Sequence, residues 1–235
     1  MKKSKELFNE VLEMKESYSK NKSSFLQSIK KDFRDSGSDI QPKSVYFEVG
    51  DTNQTFTNIC ENQDKAIEFL SDVMGLSKDF FDIRCQVVRS NVNTILRVHP
   101  TIKVQFGNSY VTICPFGDTG IEISSIVVNG QRGNGMGSVM MLHMLSLISD
   151  PFFVGGCTDI MLECVGSIGF GENAVQSSIS QQTKFFRKFG FRVSKDKKDK
   201  YGNLSYVQMM YNEDKCDMDL IMDELKNKAS KQYKK

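Results

Sequence analysis

The sequence predicts a mixed α/β (α+β) protein in which helices flank a central, twisted sheet of mostly antiparallel strands. One observation is the stretch from Phe81 to Val128, where the β-branched and aromatic runs "FDIRCQVV", "TILRV", "TIKVQF", "YVTICPF" and "IEISSIVV" alternate with the glycine turns "GNS" and "GDTG". That is the pattern of an antiparallel meander. A second is the switch that follows it, from period-two runs to the apolar helix pattern "SVMMLHMLSLI" and then to strand, helix and paired strands. The third is composition: 39% hydrophobic and 26% charged residues over 235 positions describe a globular chain with a sizeable core.

From the N-terminus, Leu7, Phe8, Val11 and Leu12 recur at helical spacing, as do Phe25, Leu26, Ile29 and Phe33. One broken or two short amphipathic helices are expected, forming an extension over residues 1–40 that the turn residues of "DSGSDIQPK" close. The main domain is expected over 41–212. It opens with a strand at "SVYFEV" and a helix at "NQDKAIEFLSDVMGLS", with Ala66, Phe69, Leu70 and Val73 on its inner face and Gly75 as its stop. After the meander and an apolar helix from about Gly137 to Ile148 come a strand "DIMLECV" and a long loop. A helix through "SISQQTKFFRKF" follows, with Gly190 as its cap, and then strands "FRVS" and "LSYVQMMY". The charged run "SKDKKDKYGN" reads as a solvated hairpin. Residues 213–235 return to a charged helix and a basic tail.

Between meander and helix, Gly130, Gly133, Gly135 and Gly137 fall within eight residues. Fixing glycine costs backbone entropy, so such a cluster marks a tight turn or a close approach to a ligand. A glycine turn opening a helix presents unpaired N–H groups at the positive end of the helix dipole, which suits phosphate. No Lys-Ser or Lys-Thr follows the glycines, which excludes the Walker pattern, and Ser138 stands where a dinucleotide-binding loop would place its third glycine.

The order of elements, together with "RGNGMG" at 132–137 and "FFRKFGF" at 185–191, resembles the GNAT acyltransferase superfamily. The family's acyl-CoA loop, Gln/Arg-x-x-Gly-x-Gly/Ala, is matched at Arg132, Gly135 and Gly137. Its second signature, close to "FYEKLGF", is matched around Phe185 to Phe191. The resemblance spans 41–212 by element order and 121–193 by motif. It implies a GNAT-like sheet whose middle strands splay, with acetyl-CoA or another acyl-CoA as co-substrate. Backbone groups of Ile126, Val127 and Val128 would bind the pantetheine arm. Those of Arg132, Gly133, Asn134, Gly135, Met136, Gly137 and Ser138 would hold the pyrophosphate.

The implied activity is N-acyl transfer, most simply acetylation, by direct attack of an amine on the thioester in a ternary complex. Such a site needs a base for the amine and stabilisation of the thioester oxygen. The resemblance points to Glu122 as base, with Glu163 on the adjacent strand holding a water or sharing the proton. The family's usual phenolic acid is replaced by Phe186, and Ile179 stands where an asparagine is common; Ser178, Ser180 and Thr183 are the nearby hydroxyls.

Other residues read as structure. Cys164 and His143 are expected to pack in the core, with Met140, Met141 and Met144 as filler. Six cysteines without a CxxC pair, and only two histidines, argue against a metal site and predict free thiols in a reducing cytoplasm. No stretch reaches the roughly 18 apolar residues of a membrane span, and a net charge of +2 gives little support for nucleic-acid binding. Two other functions fit the same sequence: a GNAT-fold CoA-binding or protein-interaction module without catalysis, and a modifier of a protein or nucleic-acid acceptor. The amine acceptor would be contacted by loops near 50–80 and 166–178.

Overall fold

The computed structural model describes residues 4–35, 44–47, 53–92, 95–129, 134–155, 159–165, 179–198 and 204–232. The chain begins with α1 (Ser4–Lys20) and α2 (Lys22–Asp35), then β1 (Ser44–Phe47), α3 (Gln54–Glu61) and α4 (Gln63–Met74). The meander comprises β2 (Phe81–Val92), β3 (Ile95–Phe106), β4 (Ser109–Phe116) and β5 (Gly120–Val127). After it come α5 (Met136–Ser149), β6 (Asp159–Val165), α6 (Ile179–Arg187), β7 (Phe189–Lys198), β8 (Leu204–Cys216) and α7 (Met218–Gln232).

Among the described residues the strands form one eight-stranded sheet in the order β1-β3-β4-β5-β6-β8-β7, with β2 pairing β3. The β1–β3 and β5–β6 pairs are parallel and the rest antiparallel. A mixed α/β fold with a mostly antiparallel sheet is thus the architecture. No helix among the described residues is long and apolar enough to cross a membrane.

From Ile95 onward the runs "TILRV" and "TIKVQF" form a single strand, β3, that continues through Pro100. β1 pairs with residues up to Val98 and β4 with residues from Ile102, so Pro100 falls where that edge of β3 has neither partner. A residue without an N–H is tolerated there. α1 buries Leu7 and Val11 completely, and Leu7 belongs to the same core as Phe56, Ile83 and Ile113. Each such side chain contributes about 1.5–3 kcal/mol of burial.

Three expectations are corrected. α4 turns Ala66 and Leu70 inward, but Val73 is 49% exposed, because it lies in the last turn of the helix, two residues before Gly75, whose φ of 63° makes the left-handed cap. Gly190 does not cap α6: it lies inside β7 with φ 95°, where the register against β8 shifts between Phe189 and Phe191. Nor are all thiols free, since Cys60 at the end of α3 and Cys85 on β2 form a disulfide with Cα atoms 6.1 Å apart. The buried face of β2 presents Cys85 directly to the helix pair.

Candidate functional site

β5 and β6 run side by side only briefly. Their parallel register covers Gly120 to Ile123 against Asp159 to Leu162, and the pairing ends there. β5 stays bonded to β4 out to Val127, and β6 to β8 out to Val165. The two strands therefore keep their outer neighbours while losing each other.

The departure coincides with a bulge. Ile113 pairs with Ile123 but Thr112 with Ser125, so Ser124 is an extra residue on β5. Both serine hydroxyls reach the Thr112 hydroxyl, Ser124 at 3.0 Å and Ser125 in a shorter contact. A bulge bends its strand and raises local twist, which gives β5 a reason to leave β6 at this point.

The start of β5 is fixed from outside the meander. Asn53, 1% exposed, caps α3 by accepting from the Phe56 N–H at 3.0 Å and donates to the Gly120 carbonyl at 2.5 Å. Its far end is fixed as well. Asn129 donates its backbone N–H to the Ser109 hydroxyl at 3.1 Å and its side-chain amide to the Asn108 carbonyl at 2.6 Å. The chain is thus held on both sides of the divergence.

Of the residues implied as cofactor ligands, Arg132 and Gly133 lie outside the described residues. Ile126 and Val127 are half-buried on β5 beyond the last β6 partner, and Val128 is 37% exposed just past the strand. Gly135, with φ 92°, is the N-cap of α5 and offers no side chain to the helix end. Asn134 supplies one instead: its side-chain oxygen accepts from the Met136 N–H at 3.0 Å. The Ser138 N–H turns to the Gly135 carbonyl at 2.9 Å, so an anion entering here would compete with the Asn134 side chain. Packing does not require glycine at Gly137, because a Cβ there would meet Val128 at 3.4 Å and Phe185 at 3.6 Å, ordinary contact distances.

A cation stands beside this helix end. Lys188, from the turn after α6, donates to the Ser138 hydroxyl at 3.1 Å and pairs with Glu224 of α7 at 2.6 Å. Its ammonium also lies 4.9 Å from the Phe185 ring centroid. Nothing in the glycine pattern pointed to Lys188, although it lies within the "FFRKFGF" segment.

The two carboxylates occupy the inner part of the divergence. Glu122 is 7% exposed and pairs across the sheet with Cys114 and Met161. Glu163 lies two residues beyond Met161, so alternation places it on the same face as Glu122, with Cα atoms about 8 Å or more apart from strand spacing. Glu163 accepts a hydrogen bond from the Tyr206 hydroxyl at 2.7 Å. Sequence reasoning missed Tyr206, whose placement depends on the β6–β8 register.

The hydroxyl substitutes fare differently. Phe186 packs against Phe185 and Phe191, with centroids 5.0 and 6.0 Å away. Thr183 is buried and donates to the Ile179 carbonyl at 2.8 Å, and Ser178 lies outside the described residues. Cys164 is fully buried, and burial pushes its thiol up to about 11, which suits packing rather than nucleophilic attack. Burial likewise pushes His143 below the ordinary histidine range.

Comparison with protein-family models and with curated proteins finds no match for this chain.

Proposed function

We propose that this protein is an acyl-CoA-dependent N-acyltransferase with a GNAT-like fold, most simply an acetyltransferase, acting on an amine in a ternary complex. One observation carries the reading: β5 and β6 part after Ile123 and Leu162 at a bulge, and β5 then leads into a helix opened by Gly135. The freed edge of β5 offers backbone groups to an extended amide-bearing arm, as an added strand would use them. The N-terminus of α5, with Lys188 beside Ser138, suits a pyrophosphate at the end of that arm. Glu122 and Glu163 supply carboxylates on one face for deprotonating the amine. The motif resemblance at 132–137 and 185–191 supports the same assignment.

A second reading, a module that binds CoA without turnover, is favoured by Phe186, which fills an aromatic cluster where the resembled family carries a phenol. Calorimetric titration with acetyl-CoA and CoA tests the shared claim. Micromolar binding is expected. Asn134→Asp, which keeps an acceptor for the Met136 N–H while adding a negative charge, is expected to weaken it at least about tenfold at unchanged melting temperature. No binding by the parent protein would overturn both readings; binding with thiol release on adding an amine would decide for the enzyme.

A further inference from the structure

We infer that Tyr206 and Glu163 form the proton-transfer pair of the site, with Tyr206 as the acid that protonates the leaving thiolate. The inference rests on the acyl-transfer reading above. Its geometric basis is separate.

Glu163 is the first residue of β6 past the last β5 partner, so it lines the divergence at its narrow end. Tyr206 lies opposite Val165 on β8, one pleat further along, and on the same face as Glu163 because Gln208 is Glu163's direct partner. Such diagonal neighbours are within reach of an aromatic side chain. Both side chains are half-buried, and the phenol hydroxyl donates to the carboxylate at 2.7 Å. The charged groups that share this face on neighbouring strands are Glu122 on β5 and Lys195 and Lys197 on β7, which pair with Gln208 and Tyr206. The Lys197 ammonium lies 5.8 Å from the Tyr206 ring centroid, so transient negative charge on the phenol oxygen would form near a cation.

The reaction balances within this pair. Attack by the amine forms the C–N bond, and collapse of the tetrahedral intermediate breaks the C–S bond. The nitrogen must lose one proton and the sulfur must gain one. Glu163 takes the proton from nitrogen, and Tyr206 gives its hydroxyl proton to sulfur. Glu163 then returns its proton along the hydrogen bond to the phenolate, and the resting state is restored. The pair thus supplies a hydroxyl acid that Phe186 cannot.

The test uses the full chain, acetyl-CoA as acyl donor, hydroxylamine as the amine and thiol release as the readout. Tyr206→Phe is expected to keep the acetyl-CoA affinity and melting temperature of the parent while kcat falls by about 10²-fold. Its kcat profile should lose the decline at high pH that deprotonation of the phenol gives the parent. Glu163→Gln should lose the rise at low pH. A Tyr206→Phe protein with parental kcat, or one with reduced kcat but an unaltered pH profile, would overturn the pair and leave acyl transfer standing. A parent that binds no acetyl-CoA, or binds it without releasing thiol, would overturn the pair together with the enzymatic reading.

Discussion

Lys188 donates a hydrogen bond to Ser138 at 3.1 Å while pairing with Glu224 at 2.6 Å, so one ammonium fastens the start of α5, the end of α6 and α7. The Lys188 side chain is 10% exposed and that of Glu224 is 38%. Removing the more buried partner leaves a carboxylate that water can still reach, whereas removing the carboxylate strands a nearly buried cation. Coulomb attraction in the half-open geometry is modest, and the desolvated cation dominates. Glu224→Gln is therefore expected to lower stability by about 1–2 kcal/mol. Lys188→Met should cost less, about 0.5–1 kcal/mol, through the lost hydrogen bonds. A double-mutant cycle measured by urea unfolding should return a favourable coupling, and additive losses would show that the ion pair contributes nothing.

Gly190 tests whether the second sequence motif is held by backbone geometry. Its φ of 95° is strained for any side chain, and a Cβ would collide with the Asn212 carbonyl oxygen. Gly75 also has a positive φ, 63°, but a Cβ there meets nothing within 4 Å. Gly75→Ala should cost about 1 kcal/mol, from the left-handed conformation alone. Gly190→Ala should cost about 3 kcal/mol or more, since strain and collision add. Equal melting temperatures for the two variants would contradict this account.

The same two glycines show what the sequence could and could not disclose. Gly75 follows a helix pattern and lies two residues before the polar run Ser77 to Asp79, so its role is readable locally. Gly190 also follows a helix pattern, but the feature that decides its role, Asn212, lies on β8 and becomes its neighbour only through the β7–β8 register. α3 is harder to read because its eight residues hold a single i, i+3, i+4 repeat, Phe56, Ile59 and Cys60, although Asn53 is a good N-cap. The length of β7 was hidden for another reason. Ser194 to Lys198 are all exposed, so no buried alternation marks them as strand. At the site, the glycine loop and both carboxylates were legible as residue types, whereas the Ser124 bulge, the Lys188 contact and the Tyr206–Glu163 bond depend on cross-strand or interhelical partners.

His143 gives the fold a pH dependence whose sign is fixed. Burial favours its neutral form and lowers its pKa from the ordinary 6.5, and its Nδ1 atom is buried without a hydrogen-bond partner. Above pH 7 both folded and unfolded chains hold it neutral. As pH falls through 6.5 the unfolded chain takes up a proton that the native site resists, so stability declines until the folded pKa is also passed. The melting temperature is expected to be lower at pH 5.5 than at pH 7.5, and His143→Gln should flatten that difference. An undiminished difference in the variant would assign the effect to other groups.

Cys60 and Cys85 decide between two views of where this protein works. The absence of CxxC spacing suggested free thiols, yet the end of α3 meets β2 at these two residues. They close a loop with a sequence separation of 25, and in the chain-entropy account a loop of that size is worth about 3.5 kcal/mol. Peptide mapping of unreduced, alkylated protein should recover Cys60 and Cys85 as one linked pair, with Cys114, Cys164 and Cys216 alkylated separately. Dithiothreitol should then lower the melting temperature of the parent but not of a Cys60→Ala/Cys85→Ala double variant. Cys60 is 3% exposed, so the bond is expected to resist reduction until α3 loosens. If both residues are instead alkylated in freshly isolated protein, the pair is a dithiol in its native setting, and a reducing compartment holds it so despite geometry that permits the bond.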